Sequence, residues 1–176
     1  MRNLLASSIG LDKYSTILNT YKNVDVSNDI KFQRNFNGFY VIRRNIDWLN
    51  NYYILFERVK GQETTFEEIL RELYDLTNGR IEASFSSKMY ATLYPEKPIW
   101  DQFVLKFLGL KMPDGNSEKR LKAAIVLYSD IEEWYKEFLC KENARLCLAL
   151  FDEIFPDYKW VSDIKKIDFY LWSIRE

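Results

Sequence analysis

Histidine is absent from this chain of 176 residues, and cysteine is nearly so, with Cys140 and Cys147 alone. The first absence removes Ser-His and Cys-His nucleophile pairs and every histidine-ligated metal site. Any catalysis must rest on carboxylates, lysine, tyrosine or serine. The two cysteines lie seven residues apart with no Cys-x-x-Cys spacing, a poor set for zinc. Cys147 falls inside Leu146-Cys147-Leu148, where a buried thiol is the expectation. The six glycines form no phosphate-cradling loop. No motif in the chain implies a metal or a cofactor.

An excess of one charge is missing as well. Lysine and arginine number 25 against 26 aspartates and glutamates, for a formal net charge of -1. Sequence-independent binding to nucleic acid usually shows as a basic excess, so the balance counts against strong DNA affinity. Long apolar runs are lacking too. Nothing approaches the length that spans a bilayer, and the run after Met1 is too short for a signal peptide. A soluble, cytoplasmic protein with no membrane partner is the expectation.

What the chain has in quantity is aromatic side chains: 12 Tyr, 12 Phe and 5 Trp. A single domain of this length can bury about 70% of its unfolded surface, and most of these rings belong in that core. Helical periodicity dominates. Trp48, Tyr52, Leu55, Phe56 and Val59 fall on one stripe, and Gly61 ends the run. Thr65-Phe66-Glu67-Glu68 has the form of a capping box, opening a helix with Phe66, Ile69, Leu70, Leu73 and Leu76 inward.

Further helices are expected over Ser84–Tyr94, from Asp101 to Gly109, from Leu121 through Phe138, over Glu142–Phe155 and after Ser162. Pro113-Asp114-Gly115-Asn116-Ser117 is the clearest loop. Toward the N-terminus, Asp12–Tyr21 and Asn28–Phe36 read as helices. The residues near 39–42 suit a short extended segment, because aromatic and β-branched side chains favour one. The fold class is all-α: a single compact helical domain over residues 1–176.

Asp101 is the candidate that stands out. It separates the extended Pro98-Ile99-Trp100 from the amphipathic helix that follows, which places a carboxylate at a helix N-terminus beside whatever packs around Trp100. Aspartate is among the best N-caps, so capping alone accounts for the position. The positive end of a helix also suits an anion that faces a developing cation or orients a water. Lys88 lies upstream, where a lysine against an apolar wall can lose its proton and act as a nucleophile, although such lysines more often reach solvent or a carboxylate. Ser84 and Ser87 read first as a helix start and second as substrate contacts.

Two further features complete the inventory. Asp168 has Ile164, Ile167, Leu171 and Trp172 at helical spacing, so its carboxyl should point inward and need a partner, with Arg43, Arg44 or Lys88 as candidates. Lys119, Arg120 and Lys122, together with Lys106 and Lys111, can either line a groove for phosphates or form an ordinary solvated face.

The stretch from Ser84 to Leu110 resembles the catalytic half of the helix-hairpin-helix DNA glycosylase superfamily. The outline is carried by Ser87-Lys88-Met89-Tyr90-Ala91-Thr92-Leu93-Tyr94-Pro95 and by Pro98-Ile99-Trp100-Asp101 through Leu108-Gly109-Leu110. The chain is also similar to small bacterial proteins with an 8-oxoguanine glycosylase-like fold, whose terminal Asp-x-x-Leu-Trp helix corresponds to Asp168-Phe169-Tyr170-Leu171-Trp172.

The resemblance implies a glycosylase-like fold and DNA as partner. It makes Asp101 the carboxylate that stabilises an oxocarbenium-like sugar or positions water, with Trp100 lining a pocket for a flipped base. Two departures are plain. The glycine-rich hairpin is replaced by Thr77-Asn78-Gly79-Arg80-Ile81-Glu82, and the lysine nucleophile of bifunctional members belongs a turn or two upstream of Lys88.

Three readings follow. One is a monofunctional, glycosylase-like hydrolase acting on or binding nucleic acid. The second is a non-catalytic module that keeps the fold and binds nucleic acid or protein. The third is a small-molecule N-glycosidase that uses the same carboxylate on a nucleoside.

Overall fold

A computed structural model of the chain describes residues 2–112 and 117–173. Among them it forms nine α-helices and no strand. These are α1 (Arg2–Thr20), α2 (Ile30–Tyr40), α3 (Ile46–Val59), α4 (Phe66–Leu76), α5 (Ala83–Leu93), α6 (Gln102–Leu108), α7 (Ser117–Leu139), α8 (Glu142–Ile154) and α9 (Asp163–Ser173), with a short 3-10 turn at Pro156–Tyr158 between the last two. The loop expected over Pro113–Ser117 lies outside the described residues except at Ser117, where α7 begins.

Local chemistry sets the helix starts. Asp29 Oδ1 accepts the Phe32 N–H at 2.7 Å, and Asn45 Oδ1 accepts the Trp48 N–H at 3.0 Å. Thr65 and Glu68 close the expected capping box, each side chain satisfying the other's backbone N–H. Each arrangement pairs an N–H that the helix itself leaves without a partner.

The largest apolar cluster is built on Phe36, Tyr52, Tyr53 and Phe56, and runs through α4 and α5 to Tyr128 and Tyr135 on α7. Phe66 stacks on Tyr128 with ring centroids 3.8 Å apart. A smaller cluster of Leu11, Tyr14, Phe151, Val161 and Phe169 joins α1 to α8 and α9. Helix α9 therefore packs against α1, α6, α7 and α8.

Several expectations need correction. Residues near 39–42 are not an extended segment: Gly38, Phe39 and Tyr40 continue α2, which ends at Val41 in the left-handed region with φ 54°. The N–H groups of Val41 and Ile42 both donate to Asn37 O, so the helix terminates by a reversed turn where a strand was expected. β-Branched and aromatic residues follow tertiary context here, with Phe36 and Tyr40 buried and their rings 4.8 Å apart. Leu76 is the last residue of α4 and is exposed, not inward. Cys147 is half-buried and Leu146 beside it is exposed, because this part of α8 faces outward. Among the described residues no helix is long and apolar enough to cross a membrane.

Candidate functional site

The connection from α5 to α6 is anchored at three points, and this fixes Trp100 and Asp101. The Ser162 hydroxyl donates to Pro95 O at 2.5 Å, the Tyr128 hydroxyl donates to Pro98 O at 2.8 Å, and the Trp100 N–H donates to Ser87 Oγ at 2.8 Å. Ile99 is fully buried and Trp100 nearly so. Asp101 then caps α6, its Oδ1 accepting the Phe103 N–H at 2.8 Å. Gly109, with φ 68°, closes that helix through hydrogen bonds to Leu105 O and Lys106 O.

In front of this turn lies a cavity of about 910 Å³. Lys88, Asp101, Trp100 and Ser84, all singled out from the sequence, line it together. Its other walls come from distant helices: Phe39 and Tyr40 on α2, and Phe169 and Trp172 on α9. Gly10 on α1 makes room for the last helix, since a Cβ there would meet Phe169 Cε1 at 3.1 Å. Aromatic faces thus flank a half-open space lined by Lys88 and Asp101, with Lys13 at its rim.

The electrostatics of Lys88 follow from its surroundings. The side chain is buried, with its Nζ 4.8 Å from the centroid of the Phe85 ring. Burial drives its pKa down to about 8; the Asp101 carboxylate opposes that fall and the Arg44 guanidinium adds to it. Arg44 is itself held by Glu82, with contacts of 2.9 and 2.7 Å to the two carboxylate oxygens, and lies 4.9 Å from the Phe85 ring. No ion pair is formed by Lys88 among the described residues, so its amine faces the cavity with a weakened hold on its proton.

Other candidates are placed differently. Ser87 does not line the cavity; it is fully buried, donating to Ser84 O at 3.0 Å while accepting from Trp100. Asp168 is fully buried, as its spacing implied, but its partners are none of Arg43, Arg44 and Lys88. Lys165 on the same helix donates to Oδ2 at 2.7 Å, and the Tyr135 hydroxyl donates to Oδ1 at 2.6 Å. Burial raises the Asp168 pKa and lowers that of Lys165, with each charge resisting the change in the other. Lys165 Nζ also lies 5.7 Å from the Trp172 ring that lines the cavity.

Lys106, Lys111, Lys119, Arg120 and Lys122 are exposed, and none lines the cavity. Lys122 pairs with Glu118 at 3.0 Å one turn earlier. The turn that replaces the glycine-rich hairpin closes on itself, because the N–H groups of Thr77 and Gly79 both donate to Tyr74 O. No group of three or more cysteine, aspartate and glutamate residues suited to a metal ion occurs among the described residues.

The residues that sequence reasoning missed are the walls, namely Phe39, Tyr40, Phe169 and Lys13 at the rim. Gly10 admits Phe169 closely, but in a sequence a lone glycine does not say what approaches it. Comparisons with protein-family models, with curated proteins and with solved structures find no match to the chain.

Proposed function

We propose that the cavity takes a nucleobase with its sugar and that the protein hydrolyses the N-glycosidic bond between them. One observation carries this reading: Lys88 and Asp101 open into the same aromatic-walled space. Planar rings stack on aromatic side chains regardless of base identity, typically for about 1–3 kcal/mol per base. A base held between such walls leaves its sugar beside Lys88 and Asp101.

In this scheme the C1′–N bond lengthens and positive charge develops on the sugar, facing the Asp101 carboxylate. Neutral Lys88 accepts a proton from the attacking water as the new C1′–O bond forms. The departing base takes the bonding electron pair and then the proton held by Lys88, which restores the neutral amine, and the sugar keeps a hydroxyl at C1′. An amine with a pKa of about 8 suits this work, since general bases act best when tuned near the working pH. DNA is the carrier that the resemblance implies, and the alternative of a binding module draws on the same cavity without the chemistry.

Asp101→Asn tests the proposal. Asparagine caps a helix about as well as aspartate, so the cost in stability should be only a few tenths of a kcal/mol. Base release, followed by chromatography, should disappear while the melting temperature stays in place. Release that persists at the wild-type rate would remove Asp101 from the chemistry.

A further inference from the structure

We infer that the substrate is a free nucleoside or nucleotide, held in this half-open cleft, and not a base extruded from a duplex. The inference rests on the N-glycosidase reading of Lys88 and Asp101, and it adds the carrier of the base.

Size is the first argument. Ligand pockets are typically about 300–1,000 Å³, and this half-open cleft, at about 910 Å³, lies near the top of that range. That leaves room for a base, its sugar and a 5′-phosphate together.

The second argument is the mouth. The rim carries Ile9 and Val41, which are 55% and 63% exposed, beside the single ammonium of Lys13 and the amide of Gln102. Two exposed aliphatic side chains at an entrance suit a compact ligand with an apolar face. An enzyme that flips a base must instead grip phosphates on either side of the opening, to offset unpairing and unstacking. Here the basic cluster of Lys106, Lys111, Lys119, Arg120 and Lys122 lies outside the lining of the cavity.

Depth is the third. Lys88 is 9% exposed and Trp100 is 6% exposed, so the reacting bond must sit well inside the fold. A free nucleoside reaches that depth without having to draw a strand after it.

The experiment compares carriers. Wild-type protein is incubated with adenosine, guanosine, cytidine, uridine, their deoxy forms and their 5′-monophosphates, and with single- and double-stranded oligonucleotides containing the same bases; released base is measured by chromatography. Binding of the same compounds to Asp101→Asn is read by tryptophan fluorescence quenching across a salt series. The expected result is release from at least one nucleoside or nucleotide at ten or more times the rate from the duplex. Affinity for it should change less than about twofold over a salt range in which phosphate-tracking proteins lose orders of magnitude.

Release confined to oligonucleotides overturns the inference and leaves the N-glycosidase reading standing. Quenching by nucleosides without release from any carrier supports the ligand class and overturns the chemistry. Neither quenching nor release overturns both.

Discussion

At the scale of single residues, the amine of Lys88 is the group whose environment has the clearest measurable consequence. Its folded pKa of about 8 lies below the 10.5 of an unfolded lysine, because burial disfavours the ammonium. Between these two values the unfolded chain binds more protons than the folded one, so stability contributed at this site rises with pH. Below about 8 the penalty is present in full. Lys88→Met removes it and should therefore stabilise the protein near neutral pH, by up to about 3 kcal/mol on the linkage arithmetic. The gain should shrink toward zero as pH approaches 10.5. Melting curves of the two proteins at both ends of that window check the claim; a constant gap between them contradicts it. Asp101 differs from Lys88 in how readily it was found. Its role as a cap is local, set by the two residues that follow it, and so is legible in the sequence. The depressed pKa of Lys88 depends on Phe85, Arg44 and the cavity wall, which the sequence does not bring together.

At the scale of elements, α9 holds the least ordinary packing. Lys165 and Asp168 are both fully buried, one turn apart, with the Tyr135 hydroxyl on the free carboxylate oxygen. Removing one partner of such a pair leaves an uncompensated charge and typically costs about 3–5 kcal/mol, whereas replacing both by apolar side chains is often neutral. Lys165→Met alone should therefore lower the denaturation midpoint strongly. Lys165→Met combined with Asp168→Leu should restore most of it. Urea unfolding of the single and double variants measures this, and a double variant no more stable than the single one contradicts it.

The same helix shows how far pattern reading reaches. The neighbours of Asp168 correctly place its carboxyl inside. Its partner escaped notice because a lysine three residues earlier is normally assigned to the surface, although i,i+3 pairs lie on one face. The residues near 39–42 teach the converse: intrinsic preference for a strand yields when Phe36 and Tyr40 are needed in the core as part of α2. The capping box of Thr65 and Glu68 and the stripe on α3 were readable because each is contained within a few turns.

At the scale of the whole molecule, the cavity is assembled from α1, α2, α5, α6, the connection between those two, and α9, segments drawn from both ends of the chain. Periodicity reports which face of each helix is apolar, but not which helices meet, so the all-α class was legible and the cavity was not. The Trp100–Asp101 turn pointed to one wall of it. The remaining walls follow from Gly10 admitting Phe169 and from Lys165 lying beside Trp172.

The central claim is that Lys88, acting as a neutral amine beside Asp101, drives the breaking of a bond within this cavity. The rate of base release as a function of pH tests it most directly. The account predicts a rate that climbs as Lys88 gives up its proton and levels off above about 8. A rate that is flat across the same range, or base release that is absent throughout it, would contradict the account.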